Sequence, residues 1–405
     1  MNWDQIVFEK LYESPSRNGL YKAKEFHGRG FKIVNMGELF GLDFISNQDM
    51  NRLELTNDEL KRFQLLDGDL LFGRRSLVES GAGKCSIVEK LQEPLVFESS
   101  IIRVRLDTKL VIPRFYFYYF QSHSGRGKIK AIVSGVNVKG IRGSDLKKIR
   151  VDAPPLATQN KIASILSAYD DLIENNNRRI TLLEKSARLL YREWFVKLKF
   201  PGHESTKITE GVPEGWERVA ALDAMEVQSG GTPKTNIERY WNGDIPFYTP
   251  KDSVSNAFVA NTEKTLTEEG LKKCNSKLYP EYTIFITARG TVGNLNIALT
   301  PMAMNQSCYA LYGKEGVSQL FLYCAMKESI EHYKQHAIGA VFNAIVVKTF
   351  KMIPFLMPIQ AVIQTFTDLI TPSFKQLENL IRQNQKLRTA RDLLLPKLMN
   401  GDIPV

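Results

Sequence analysis

Between Pro154 and Phe195 the apolar positions recur with the period of one helix packed on another. Ile162, Leu166, Tyr169, Ile173, Asn176, Ile180, Leu183, Ala187, Leu190 and Trp194 are separated by alternating steps of 4 and 3. A repeat of 3.5 residues keeps one stripe facing a partner helix, the pattern of a coiled coil. Pro154-Pro155 precede the run and Phe200-Pro201-Gly202 follow it. The pattern predicts one helix of about 36 residues, or about 54 Å. Ile165, Leu172, Leu182 and Leu189 lie beside the seam and widen the stripe, so the helix is expected to pack on more than one partner. Asn176 is the polar member of the seam. Its residue type fits either a solvated kink or a buried amide that fixes the register.

A second seam closes the chain. Ile363, Phe366, Ile370, Phe374, Leu377, Ile381, Asn384, Leu387, Arg391 and Leu394 also step by 3 or 4. Pro372 is expected to kink or restart this helix, and Pro396 with Gly401 to close it. Two long helices with apolar seams most simply bury those seams against each other.

The helices are the clearest part of a whole-chain repeat. Gln159 and Ile162 match Gln360 and Ile363, and "ARLL" at Ala187 matches "ARDLL" at Ala390. "FYFYYFQS" from Phe115 parallels "LFLYCAMK" from Leu320, each predicting a short apolar helix. "GDLLFGRR" from Gly68 parallels "EYTIFITAR" from Glu281, a strand running into a basic turn. "GVN" ending at Asn137 parallels "VFN" ending at Asn343, and Trp3-Asp4 echoes Trp216-Glu217. The order is kept and the offset nearly constant. The segments between the helices mix short strands with turns and short helices. The expected fold is therefore α+β: two globular mixed domains separated by two long helices that pair as an antiparallel coiled coil, with a pseudo-two-fold internal repeat.

Composition changes this picture little. A chain of 405 residues, 43% apolar and 24% charged, is globular and long enough for two or more domains. No run predicts a membrane span, and "MNWDQIVFEK" has no secretory pattern. Cys85, Cys274, Cys308 and Cys324 form no CxxC and read as thiols of a reducing cytosol, so a cytoplasmic location is expected. The 54 basic against 44 acidic residues give a net charge of +10, which hints at a polyanionic partner.

Catalytic signatures are not found. "ESGAGKCS" has Val78 where a P-loop needs its first Gly and Cys85 where it needs Ser or Thr. It reads better as a tight turn with Lys84 available to a phosphate. "APPL" at Ala153 matches an amine-gripping methyltransferase motif at neither end. His332 and His336 have no Glu between them in a zinc-protease position and no third ligand in view. No metal or cofactor is expected on this chain.

"PPLATQNKIASILSAYDDLIENNNRRITLLEKSARLLYREWFV" resembles the central helical region of the specificity subunits of Type I restriction-modification systems. "GVPEGWERV", "SGGTPKTN" and "YWNGDIPFYTPKD" are similar to the start of that family's second target-recognition domain, and "NQKLRTARDLLLPKLMNG" to its C-terminal helix end. The opening of the first domain departs most from the family pattern. The resemblance implies target-recognition domains over 1–153 and 201–356, with helical spacers over 154–200 and 357–405. Each domain would read one half of an asymmetric bipartite site in double-stranded DNA. The helices would set the gap and dock two modification (methyltransferase) subunits. Those subunits would carry S-adenosylmethionine and methylate adenine; restriction subunits would add ATP- and magnesium-dependent cleavage. The chain would direct chemistry without performing it. An autonomous DNA-modifying enzyme with unrecognised motifs, or a helical scaffold, are the readings from other classes.

Contact with DNA needs Lys and Arg at phosphates, and Arg, Asn, Gln, Ser or Thr at base edges. In the first half Arg74, Arg75 and Lys84 flank a Gly-rich turn, and Lys139 and Arg142 lie in "VKGIRG". In the second half the candidates are Thr232, Lys234, Lys251, Arg289, Thr291, Asn305, Gln306 and Lys348. "GTVG" after Arg289 also fits a structural turn whose glycines supply positive φ. Arg178, Arg179, Arg188 and Arg192 read as solvent-face or partner-facing charges.

Overall fold

Both seams fold as helices. In the computed structural model, which describes residues 3–336 and 344–405, Leu156–Tyr191 is one α-helix, prolonged by a π-helical turn over Arg192–Val196. The five-residue turn lets the adjacent Trp194 and Phe195 both reach the core, each against Phe366. Every residue of the central seam is buried or half-buried, whereas Ile165, Leu172, Leu182 and Leu189 are exposed, from 37% to 60%. The buried stripe in this chain is therefore the narrow 3.5-residue seam.

The C-terminal helix spans Gln360–Met399 without the break expected at Pro372. Pro372 lies on the exposed face, where water can replace the lost N–H partner, while Ile370 and Phe374 stay buried on the other side. Pro396 is likewise exposed and tolerated; Gly401, at φ 71°, follows the last turn. The parallel drawn to Asn343 lies outside the described residues.

The chain divides into two compact units, 1–172 with 387–405, and 173–386. In the first, a five-stranded sheet has the order Tyr12–Asn18, Ile101–Leu106, Leu70–Gly73, Cys85–Val88, Phe44–Ile45, parallel only in its last pair. Beside it lie a three-stranded sheet (Arg52–Leu53, His27–Val34, Leu95–Phe97) and two pairs (Gln5–Val7 with Arg150–Asp152, and Arg75–Ser76 with Lys139–Gly140). The aromatic helix Pro113–Gln121 packs inside, Phe120 lying 5.0 Å from Phe72 and 5.1 Å from Phe8 between ring centroids. This core also takes in Ile162 and Leu166 of one long helix and Leu398 and Met399 of the other. Asp170 ties them further, accepting from the Tyr118 hydroxyl at 2.5 Å and pairing with Arg391.

The second unit repeats the same order: Met225–Ser229, Cys308–Gly313, Ile284–Thr287, Leu295–Ala298, Phe258–Val259, again parallel only in the last pair. Its three-stranded sheet (Lys264–Leu266, Trp241–Tyr248, Ala303–Met304) corresponds to that of the first, and its pair Glu217–Ala220 with Pro354–Met357 to Gln5–Val7 with Arg150–Asp152. Gly19 and Gly230 occupy matching places: a Cβ at either would lie within 2.4 Å of backbone oxygens, of Phe97 in one and of Met304 and Asn305 in the other. The helix candidates from Phe115 and Leu320 differ in extent. Ser122 caps a new helix, His123–Lys130, in the first unit, whereas Gln319–His336 is continuous in the second.

Within the second unit the helix segments run antiparallel, since Asn176 meets Asn384 while Tyr191 and Trp194 meet Phe366. Asn176 is 1% exposed; its Nδ2 donates to Asn384 Oδ1 at 2.9 Å, and Asn384 Nδ2 donates to Asn177 Oδ1 at 2.9 Å. The buried-amide reading of Asn176 is the one the structure adopts. A shifted register would face these amides with aliphatic groups, at a desolvation cost of about 1–3 kcal/mol per unpaired group. Asn384→Leu alone should therefore lower unfolding free energy by about 1–3 kcal/mol. Asn176→Leu with Asn384→Leu should recover most of that loss, as urea denaturation of the two variants would show.

Candidate nucleic-acid interface

In the second unit the residues singled out from sequence converge on one end of the sheet. Strand Ile284–Thr287 runs into a turn closed by Gly293 N–H donating to the Thr287 carbonyl at 2.8 Å. Gly290 and Gly293 both have positive φ, so "GTVG" is a structural turn as well as a presenter of side chains. Thr287 Oγ1 accepts from Asn294 N–H at 3.0 Å and donates to the Thr291 carbonyl. Thr291 Oγ1 donates to the Pro250 carbonyl at 3.3 Å. Ala288 is fixed on both sides, its N–H on Ser307 and its carbonyl on Ile345 N–H. Arg289 extends from this turn, exposed.

Neighbouring turns bring the rest. Asp252 accepts from Thr249 N–H at 2.8 Å and Glu263 N–H at 2.6 Å, which pins the short turn carrying Lys251. Gly231 N–H donates to Met304 and Asn305 N–H to Tyr248, so Thr232 and Gln306 meet through a side-chain hydrogen bond. Thr232, Lys251, Asn305 and Gln306 line one cavity of about 430 Å³. Trp241 and Lys264 line it too, with the Lys264 ammonium 5.4 Å from the indole centroid. Lys234 is exposed nearby, its carbonyl accepting from Trp241 Nε1 at 3.3 Å. Lys348 is exposed in the first turn of Val347–Met352, three residues beyond the Ile345 held by Ala288.

The first unit builds the matching end. Arg74 N–H donates to Ser100 and its carbonyl accepts from Ile141, the same pair of bonds that fixes Ala288. Arg75 thus corresponds to Arg289. Arg75–Ser76 pairs antiparallel with Lys139–Gly140, bringing both predicted cations onto one ribbon. Arg74 and Arg142 line a cavity of about 470 Å³ with Tyr12, Ser16, Asn18 and Lys147; Lys147 is paired with Glu9 at 2.9 Å. Burial, and then the charge of Glu9, hold the Tyr12 hydroxyl well above the usual tyrosine range, so it stays neutral. Lys84 is placed apart from this group: its Nζ donates to the Phe40 carbonyl at 2.6 Å and lies 3.5 Å from Asp43.

Tyr21 was missed from sequence. It follows Leu20, whose N–H donates to Phe97 as Gly231 donates to Met304, so Tyr21 stands where the second unit has Thr232. It is 84% exposed. Trp241 and Lys264 were missed as well. In each case the position follows from strand pairing across the three-stranded sheet or from a loop anchored on it, which no local spacing encodes. The corresponding tips thus carry unlike side chains on like backbones: Tyr21 and Thr232, Ser99 and Gln306.

Comparison with known proteins gives one consistent result. The family model described as "Type I restriction modification DNA specificity domain" matches residues 8–185 and 213–387. The chain is similar to the Type I restriction enzyme MjaIX specificity subunit of Methanocaldococcus jannaschii, 27% identical over 95% of this chain and 89% of that one. It is also similar to the HindI specificity subunit of Haemophilus influenzae, 23% identical over 92% and 94% of the two chains. In fold it resembles the crystal structure of a Type I restriction-modification S subunit from M. genitalium, with a TM-score of 0.57 at 18% identity over 98% of this chain and 96% of that one. No described helix is long and apolar enough to cross a membrane.

The placement separates two kinds of substitution. Lys251→Ala and Lys348→Ala should weaken binding to all duplexes alike and reduce the slope of log affinity against log salt by about one each. Gln306→Ala should instead lose about 1–3 kcal/mol of discrimination at one base pair. Anisotropy titrations over a salt series and a panel of single-base changes would read both.

Proposed function

Because this chain belongs to the family of Type I restriction-modification DNA specificity domains, we propose that it is the DNA-reading subunit of such an enzyme and is not itself a catalyst. Each of its two domains reads one half of a bipartite, asymmetric site. The carrying observation is the duplicated frame with unlike side chains at corresponding tips. One backbone presents Tyr21 and Ser99 where the other presents Thr232 and Gln306, while Arg75 and Arg289 are alike. A single symmetric site would call for like tips. A net charge of +10 supplies the sequence-independent attraction to phosphates.

The two long helices set the number of unspecified base pairs between the half-sites. Half-sites one duplex turn apart lie about 34–36 Å apart. An uninterrupted helix is a fixed length of chain, and two modules joined by one bind as a single ligand. The exposed aliphatic side chains Ile165, Leu172, Leu182 and Leu189 are a surface for the modification subunits. Two such subunits dock here, bringing S-adenosylmethionine for adenine methylation, and restriction subunits add ATP- and magnesium-dependent cleavage. Arg188 and Arg192 serve the fold, paired with Glu328 at 3.4 and 3.3 Å.

With DNA and a labelled methyl donor, the purified chain should transfer no methyl group, and addition of its modification subunit should start transfer. Transfer by the chain alone would overturn the non-catalytic reading. Inserting about four residues, one turn or 5.4 Å, into both helices should lengthen the tolerated gap by one or two base pairs with both half-sites unchanged. Mapping methylated adenines in cells carrying the altered chain reads this, and an altered half-site with an unchanged gap would contradict it.

A further inference from the structure

The first domain carries an extension that its duplicate lacks. The turn after Leu70–Gly73 runs from Gly73 to Gly83, closed by Gly83 N–H on the Gly73 carbonyl at 2.7 Å. Its counterpart runs only from Thr287 to Gly293 under the same bond, so the first domain has four more residues here. The extra length leaves Leu77 84% and Val78 60% exposed. Ser76 pairs antiparallel with Lys139, and Arg75 with Gly140, so this turn and the one before Lys139 form the two strands of a ribbon. Continuing that register sets Leu77 opposite Val138. At the far end Gly135 turns left-handed (φ 106°), and Val136 beside it is 90% exposed.

The ribbon therefore ends in short aliphatic side chains standing in water between cations. Arg75 is exposed and Lys139 half-exposed on its strands; Glu79 of the same turn is paired with Lys130 at 3.3 Å. Isolated exposed aliphatics are ordinary. A cluster of them on a basic ribbon, continuous with the DNA-reading end of the domain, is suited to a polyanion that also offers apolar surface. The major groove of B-DNA admits a two-stranded ribbon, and the thymine C5-methyl is the apolar group on its base edges.

Resting on the DNA-reading function above, we propose that this ribbon enters the major groove of the half-site read by the first domain and that Leu77 and Val136 recognise thymine by packing on its C5-methyl. The second domain's turn, four residues shorter, has no residue corresponding to Leu77. Specificity at these base pairs comes from apolar complementarity between the cationic anchors.

The test uses the full chain assembled with its modification subunits and the site mapped by methylated adenines. The half-site disturbed by Gln306→Ala belongs to the second domain, which assigns the other to the first. Thymines of the first domain's half-site are replaced singly by deoxyuridine, which lacks only the methyl. One or two replacements should weaken binding about three- to fivefold, the worth of one buried methyl. Complexes carrying Leu77→Ser and Val136→Ser should bind the thymine and uracil duplexes alike at those positions. Both side chains are exposed, so folding is not at stake. Indifference to every replacement, or a uracil penalty that persists in both variants, would overturn the proposal while sequence-specific binding stands. Unstacking of 2-aminopurine at the contacted step without a uracil penalty would also overturn it, in favour of a wedge between bases. Absence of any sequence preference in the unaltered complex would remove the DNA-reading function as well.

Discussion

The antiparallel seam between the two long helices is the contact on which both compact units depend. The first unit joins residues 1–172 to 387–405, and the second, 173–386, carries a segment of each long helix at its two ends. The first draws Leu398 and Met399 into a core otherwise built from residues before Leu172, and the second is closed by Phe366 against Tyr191 and Trp194 and by Phe374 against Phe258 and Tyr323. Burial of each such side chain is worth about 1.5–3 kcal/mol, so losing the seam opens both cores. Hydrophobic burial gives the seam its strength but tolerates slippage by a heptad. The buried Asn176 and Asn384 amides, with Asn177 accepting from Asn384, supply what burial lacks, a penalty for every register but one.

Given that seam, the two domains can share a frame and still differ in what they read. The frame is fixed by interactions that tolerate little change: close approach at Gly19 and Gly230, and the paired bonds around Arg74 and Ala288. Other corresponding places show that the same position can be filled by different chemistry. Asp69 and Arg105 form a bidentate ion pair, both bonds at 2.7 Å, where the second domain has Thr283 and Tyr312 joined by their hydroxyls at 3.0 Å. The tips carry no such duty to the fold. Tyr21 or Thr232 can change without disturbing the sheet beneath, the arrangement a protein needs when its target varies and its assembly does not.

The sequence displayed the helices and the repeat because both are written in local periodicity and order. Ten seam positions in each helix were legible, and so was the parallel between the strands entering Arg75 and Arg289. Pro372 misled because a helix breaker acts only where its missing donor is buried, and which face it occupies is a tertiary fact. The candidate interface was legible as residue types near turns. Its assembly was not, because Thr232 meets Gln306, and Arg75 lies beside Gly140, through pairings between distant segments. Lys84 had the right residue type and a Gly-rich neighbourhood, yet its ammonium serves the Phe40 carbonyl. Tyr21 gave no signal at all beyond an irregular loop.

The dependence on the seam is tested most directly by cutting the chain where the long helix has ended. A protease site placed at the exposed Glu204–Ser205 separates the first domain and central helix from the second domain and C-terminal helix without touching either seam. After cleavage, sedimentation should still show a single particle near the 46.1 kDa of the intact chain. Two fragments sedimenting independently in dilute buffer would contradict the account.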